Sequence, residues 1–338
     1  MERSLLTRRR FAGSTLAAGS MITLSWNVAS AQATPEAGTF PVTIEHAYGS
    51  TTIASQPQRV VTIGWSTQDA CIALGVIPVG IQKLEWSDGE DGILAWTDEA
   101  LGDATRPAVI DADNGVPFEQ VLAVNPDVIL APFSGITDLE YDLLSQIAPT
   151  VAYPDTAWSN TWQEVTRTTG DALGLPAAAE KVIADTDDLI ASRVAEHPAI
   201  VGKSYIFAAG DTDGVNFTIF TRTDGRPKFL ESLGLVPSEF VERLVPVEGY
   251  SYLSSLSVER ANEMIADVVV FSFPTQEDYD FAAGQSYFQA IPAWNEGRVV
   301  AVIGQELNMA LTAWSSLSIA WALDAFIPLL ATAAEAAS

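Results

Sequence analysis

The chain has 338 residues, 48% of them hydrophobic, and carries 43 acidic against 17 basic side chains for a net charge of −26. That is length enough for two α/β domains with real cores, while so acidic a surface repels nucleic acid and anionic headgroups. The single cysteine, Cys71, excludes an internal disulfide, and its helical context makes it an apolar core residue.

Residues 1–33 read as an export signal. Thr7-Arg-Arg-Arg-Phe11 supplies the charge, Ala12 to Val28 the apolar stretch, and Ala29-Ser-Ala31 or Ala31-Gln-Ala33 the cleavage site. Paired arginines followed by Phe11 look like the twin-arginine kind. No cysteine stands at the end of the signal, so no lipoprotein anchor is expected. Its removal leaves 13 Lys+Arg and 42 Asp+Glu, a charge of about −29. The mature protein is expected outside the cytoplasm.

Val42 to Ile53 alternates around Gly49-Ser50 as a β-hairpin. Val60 to Ile63 is a buried strand, Thr67 to Leu74 a helix ended by Gly75, and Val79 to Ile81 the next strand. Gly64-Trp65-Ser66 falls at the carboxyl edge, where open α/β sheets bind ligands. Residues 83–107, with Trp86 and Trp96, read as a long loop of functional kind. Val109-Ile110 adds a strand. Tyr141 to Ile147 is helical, Thr150 to Tyr153 a strand, and Trp158 to Leu173 a helix closed by Gly174. Pro176 then opens an uninterrupted helix to Glu196, a rod of ~30 Å. Beyond it come strands Ser204–Ala208 and Phe217–Thr221, helices Pro227–Leu233 and Gln285–Ile291, the strand Arg298–Ile303, and a closing helix from Thr312 to Leu330.

One stretch is stated twice. Val116 to Phe133 and Leu256 to Phe273 each place a glutamate eight residues before an aspartate, Glu119…Asp127 and Glu259…Asp267, ahead of an apolar strand. Each is the αβ half of a buried parallel sheet. One unit in each half suggests two Rossmann-like α/β lobes, residues 34–174 and 199–338, joined by the stiff helix of 175–198. Asp127 and Asp267 read as turn residues leading into the strands.

Catalytic patterns are missing from the sequence: there is no Gly-x-Ser-x-Gly elbow, no phosphate-binding Gly-x-x-x-x-Gly-Lys and no His-Glu-x-x-His. The two histidines, His46 and His197, lie in different lobes and read as exposed structural residues, with no metal site. Asp111–Gly115 and Asp211–Gly214 are acidic turns lacking the full calcium-ligand series. A secreted hydrolase would need a nucleophile and base that are not evident, leaving Ser66 as the residue to mutate against that alternative.

Gly49-Ser-Thr-Thr-Ile53, Pro57-Gln-Arg-Val-Val61, Leu74-Gly-Val-Ile-Pro-Val-Gly80, Asn125-Pro-Asp-Val-Ile129, Leu144-Ser-Gln-Ile-Ala-Pro-Thr150 and Gly297-Arg-Val-Val300 resemble the substrate-binding proteins of bacterial iron–siderophore ABC importers, over about residues 42–330. The resemblance implies two α/β lobes joined by one long helix, a ligand cleft, no intrinsic cofactor, and a ferric siderophore as cargo for a membrane permease. Haem or cobalamin on the same fold is the nearest alternative. It also implies that Glu119 and Glu259 dock on permease arginines. A bulky chelate needs flat apolar surface. The candidate contacts are Trp65, Ser66, Trp86, Phe133, Trp158, Tyr250 and Tyr252, with Arg222 the first choice among Lys83, Arg106, Arg222 and Arg226 as a cleft cation. Hydroxamate-binding relatives place an arginine before the first glutamate and a tyrosine past the following strand, where this chain has Asp111–Asn114 and Phe133–Ile136. Without a basic cluster the cleft suits a neutral or cationic hydroxamate better than a tris-catecholate. The protein is expected to act as a monomer.

Overall fold

The computed structural model describes residues 38–85, 87, 91–112, 115–210 and 214–338. The expected export signal lies outside them, as do Trp86 and parts of both acidic turns.

Val42–His46 (β1) and Gly49–Ile53 (β2) pair antiparallel through a turn at Ala47 and Tyr48, just ahead of the Gly49-Ser50 expected from sequence, with Gly49 at φ 117 opening β2. The first lobe follows: Val60–Thr62 (β3), Thr67–Ala73 (α1), Gly80–Gln82 (β4), Ala95–Leu101 (α2), Ala108–Ile110 (β5), Phe118–Ala123 (α3), Val128–Leu130 (β6), Asp138–Ser145 (α4), Thr150–Val151 (β7) and Trp162–Leu173 (α5). Its strands run parallel in the order β5-β4-β3-β6-β7. Successive strand residues point to opposite faces. Val60, Val128 and Leu130 therefore pack with Cys71 and Leu173, whereas Val61 and Ile129 pack with Val121 and Leu144.

Thr161 and Glu164 form a capping box at the start of α5, and Gly174 at φ 69 ends it in the left-handed conformation. Pro176 at the first position then starts the linking helix Pro176–Ala195 (α6). The second lobe comprises Ser204–Ala209 (β8), Asn216–Phe220 (β9), Gly225–Ser232 (α7), Val236–Pro237 (β10), Glu239–Glu242 (α8), Leu253–Ser257 (β11), the 3-10 helix Val258–Glu263, Val268–Phe273 (β12), Gln276–Gly284 (α9), Ser286–Gln289 (α10), Val299–Ile303 (β13), Gln305–Thr312 (α11) and Ser316–Ala336 (α12). The sheet order is β11-β9-β8-β12-β13, with β10 against β8. β8, β10, β12 and β13 are parallel, while β9 runs antiparallel to both β8 and β11.

Several sequence expectations need correction. The long loop of residues 83–107 contains α2, whose Trp96 and Leu101 are buried while Glu99 is exposed. The acidic residues concealed a short apolar face. The closing helix starts later and runs further than Thr312 to Leu330: α12 spans Ser316–Ala336 because Ser315 caps it in a box with Ser318, and Thr312 instead ends the separate helix α11. Trp158 precedes α5 rather than belonging to it, since Thr161 is the cap. His46 is buried rather than exposed: its Nε2 lies 2.9 Å from Thr51 Oγ1, and burial lowers its pKa.

The repeated stretch has a structural reason. Asp127 accepts hydrogen bonds from Gln58 N–H and Arg59 N–H at 2.7 and 2.9 Å, just before β3. Asp267 accepts from the N–H and hydroxyl of Ser204, both at 2.7 Å, where β8 begins. In each lobe the aspartate ahead of one central strand secures the start of its parallel neighbour.

The lobes share more than α6. One apolar cluster runs from Ala70, Trp96 and Trp162 through Ile183 and Ile190 to Leu323 and Phe326. Helix α12 turns back to pack on α6, α1 and α2. By length and composition α12 could span a membrane, but 56% of its apolar window is buried within the protein, which accounts for its hydropathy as core.

Candidate functional site

A cavity of about 780 Å³ opens between the two sheets. Much of the lining comes from the carboxyl ends of strands or the segments after them: Trp65 follows β3, Phe133 follows β6, Gly210 follows β8, and Pro274 follows β12, while Tyr252 sits just before β11. Asn308, Met309 and Thr312 of α11 form the floor from the second lobe.

The first-lobe wall is aromatic. The Trp65 and Trp158 rings lie 4.6 Å apart at 39°, and Phe133 meets Trp158 edge-on at 5.6 Å. Backbone chemistry makes this packing possible. Gly64, at φ 102, sits where a Cβ would lie 2.1 Å from the Phe133 carbonyl oxygen, so only glycine lets the two strand ends approach. Gly135 lies against the Trp158 indole, where a Cβ would come within 2.5 Å. Trp158 is itself left-handed, at φ 60, a conformation costing an ordinary residue about 1–2 kcal/mol. Its loop is held by Asn160 Nδ2 donating to Pro132 O at 2.7 Å and by Lys228 Nζ donating to Ser159 O at 2.8 Å from the other lobe.

The second-lobe wall carries the charge. Asp224 caps α7 and grips Arg226 through both oxygens, at 2.8 and 2.9 Å, while the guanidinium carbon sits 3.3 Å over the Phe220 ring. Tyr252 completes this wall, and burial first, then Tyr250 and Asp224, raises its phenol pKa. Asp278 adds a carboxylate at the rim and caps α9 with Thr275.

Of the residues singled out from sequence, Trp65, Phe133, Trp158 and Tyr252 come together in the cavity. Three others stand outside its lining. Ser66 is buried as the residue before α1. Tyr250 is 50% exposed and packs edge-on against Tyr252 at 5.6 Å. Arg222 is turned outward into ion pairs with Glu231 and Glu242, at 2.8 and 3.2 Å. The lining cation is Arg226, four residues on. Strand β9 ends at Phe220 and a tight turn intervenes, so the helix start, not the strand end, faces the cavity. Sequence reasoning missed Asp224, Asn308 and Met309; an aspartate before Gly-Arg-Pro at a helix start was the available signal for the first. Glu119 is exposed in the first turn of α3, and Glu259 is exposed on the 3-10 helix after β11.

The family described as periplasmic binding protein matches residues 60–305 of the chain. Over 224 residues, 64% of this chain and 70% of the relative, it is 24% identical to the Fe(3+) dicitrate-binding periplasmic protein FecB of Escherichia coli (strain K12). Among solved structures it resembles Streptococcus pneumoniae TIGR4 PiaA in complex with ferrichrome, with 30% identity, a TM-score of 0.80, and coverage of 88% of this chain and 100% of that one. A periplasmic solute binding protein from Mycobacterium smegmatis is 29% identical, with a TM-score of 0.75, covering 87% of this chain and 98% of that one.

Proposed function

The chain belongs to the periplasmic binding protein family, and on that premise we propose that it captures a ferric siderophore outside the cytoplasm and delivers it to an ABC importer permease. The observation that carries this reading is the cavity wall of Trp65, Trp158 and Phe133 facing a single arginine already neutralised by Asp224. The tilted and edge-on rings together offer a broad apolar surface to a bulky chelate whose iron arrives fully coordinated. A paired guanidinium still offers N–H donors to chelate oxygens but gives little net charge to an anionic ligand. A neutral or cationic hydroxamate is therefore the favoured cargo, in line with the ferrichrome held by PiaA. The reading is of a binding protein rather than an enzyme.

We assign residues 1–33 to a twin-arginine signal without a lipid anchor, 34–174 and 199–338 to the two lobes, and 175–198 to the linker, and we take the protein to be a monomer. Glu119 and Glu259 are assigned to permease docking; both are exposed, one on each lobe. Quenching of tryptophan fluorescence by ferrichrome, ferric citrate, haem and cobalamin tests the ligand. Saturable quenching by ferrichrome is expected, and equal indifference to all the iron chelates would sink the proposal. Reversing the charge of both glutamates should abolish uptake and leave binding intact.

A further inference from the structure

Asp69 is wholly buried in α1, and no ion pair reaches it among the described residues. Its carboxylate accepts three hydrogen bonds. Trp96 Nε1 and Thr97 Oγ1 of α2 donate at 2.8 and 2.7 Å from the same lobe, and Ser315 Oγ donates at 2.7 Å from the other. Ser315 is the cap of α12, three residues after Thr312 of the cavity floor, and Asp69 lies four residues after Trp65 of the cavity wall. One carboxylate thus joins the segments that carry the two sides of the cavity.

We infer that Asp69 is a positioning residue for ligand capture: it pins the Trp65 wall to the α11–α12 floor, and because no cation among the described residues neutralises it, the strength of that pin depends on its protonation. This rests on the capture role proposed above.

The direction follows from burial. Desolvation raises the Asp69 pKa to about 6 against the opposing effect of its three donors. When the junction opens, water reaches the carboxylate and its ordinary acidity returns. The junction therefore tightens as pH falls through 6 towards 4 and loosens as pH rises. The surrounding ionisable groups leave this charge uncompensated. Cys71 shares α1, and its thiol is pushed up by burial and by Asp69. Helix α2 brings Asp98 and Glu99, and α12 brings Asp324 and Glu335. Helix α5 brings Glu164, Asp171 and Arg167, whose guanidinium is committed to Glu180. Nearby Glu306 of α11 accepts from Ala95 N–H.

The test is hydrogen exchange of the unliganded protein, followed in peptides covering α1 and the start of α12 and corrected for intrinsic rates. Opening of the wild-type junction should rise about tenfold from pH 5 to pH 8. Asp69→Asn keeps an acceptor for Trp96, and the Thr97 and Ser315 hydroxyls can turn to suit it; this protein should open less than the wild type at pH 8 and show no such rise. Asp69→Leu strands the Trp96 and Ser315 donors and should weaken ferrichrome binding about tenfold, a loss that Asp69→Asn does not reproduce. Equal opening of wild type and Asp69→Asn at both pH values overturns the inference, as does an Asp69→Leu protein that binds like the wild type. If the unaltered protein binds no ferric chelate, the functional reading falls instead, while the exchange measurement still decides the pin.

Discussion

Asp127 and Asp267 hold equivalent places in the two lobes: each precedes a central strand and accepts hydrogen bonds from the chain at the start of the parallel neighbour, at Gln58 and Arg59 in one lobe and Ser204 in the other. The two sites differ in exposure, since Asp127 is exposed and Asp267 half-buried. Removing the acceptor should therefore cost more in the second lobe. Asp267→Ala is expected to lose about 2–3 kcal/mol and Asp127→Ala about 1 kcal/mol in denaturant unfolding at pH 7.

Asp267 also carries a pH signature. Burial would raise the Asp267 pKa, but the Ser204 bonds and nearby Lys203 and Arg298 outweigh it and the net shift is downward. A carboxylate depressed in the folded state stabilises above its unfolded pKa and loses that effect as pH falls through the folded value. The Asp267→Ala penalty should hold from pH 7 down to about 4 and shrink below it, as stability measured across that range will register.

Trp158 separates strain from binding. Its left-handed backbone at φ 60 favours glycine, so Trp158→Gly should be about 1 kcal/mol more stable than Trp158→Ala in thermal unfolding. Both variants lose the ring between Trp65 and Phe133 and should bind ferrichrome comparably weakly. An alanine variant as stable as the glycine one would show that the backbone relaxes without the ring.

Gly64→Ala tests the approach of β3 to the end of β6. The added carbon would lie 2.1 Å from a backbone oxygen at φ 102, with no flexible side chain to yield. A loss of about 2–3 kcal/mol is expected, whereas Gly75, which has open space around its position, should lose only the positive-φ preference of about 1 kcal/mol.

The Asp224–Arg226 pair should govern selectivity. Asp224→Asn retains a cap for α7 and frees the guanidinium charge. Affinity for ferric citrate relative to ferrichrome should rise about tenfold, ~1.4 kcal/mol, in competition binding. An unchanged ratio would mean that Arg226 does not meet the ligand.

Periodicity and punctuation were enough to locate most of the fold. Val60–Thr62 and Val128–Leu130 are apolar runs bounded by turns, Gly174 and Pro176 mark the break before α6, and the twofold Glu…Asp stretch announced paired lobes, because these features act within a few residues of themselves. The aromatic wall was legible for a related reason: Trp65 and Phe133 follow strands, and strand ends face the cleft. What the sequence alone did not decide was contact across long separations. Arg222, near the end of β9, is the first choice for the cleft on sequence, yet the turn after that strand sends it to Glu231 and brings Arg226 into the cavity instead. Trp96 sat among acids until α2 packed on α12. Nothing local to Asp69 announces its bond to Ser315, 246 residues away. Local propensity can be read along a chain, whereas desolvation, pairing and cavity facing are set by neighbours that only folding supplies.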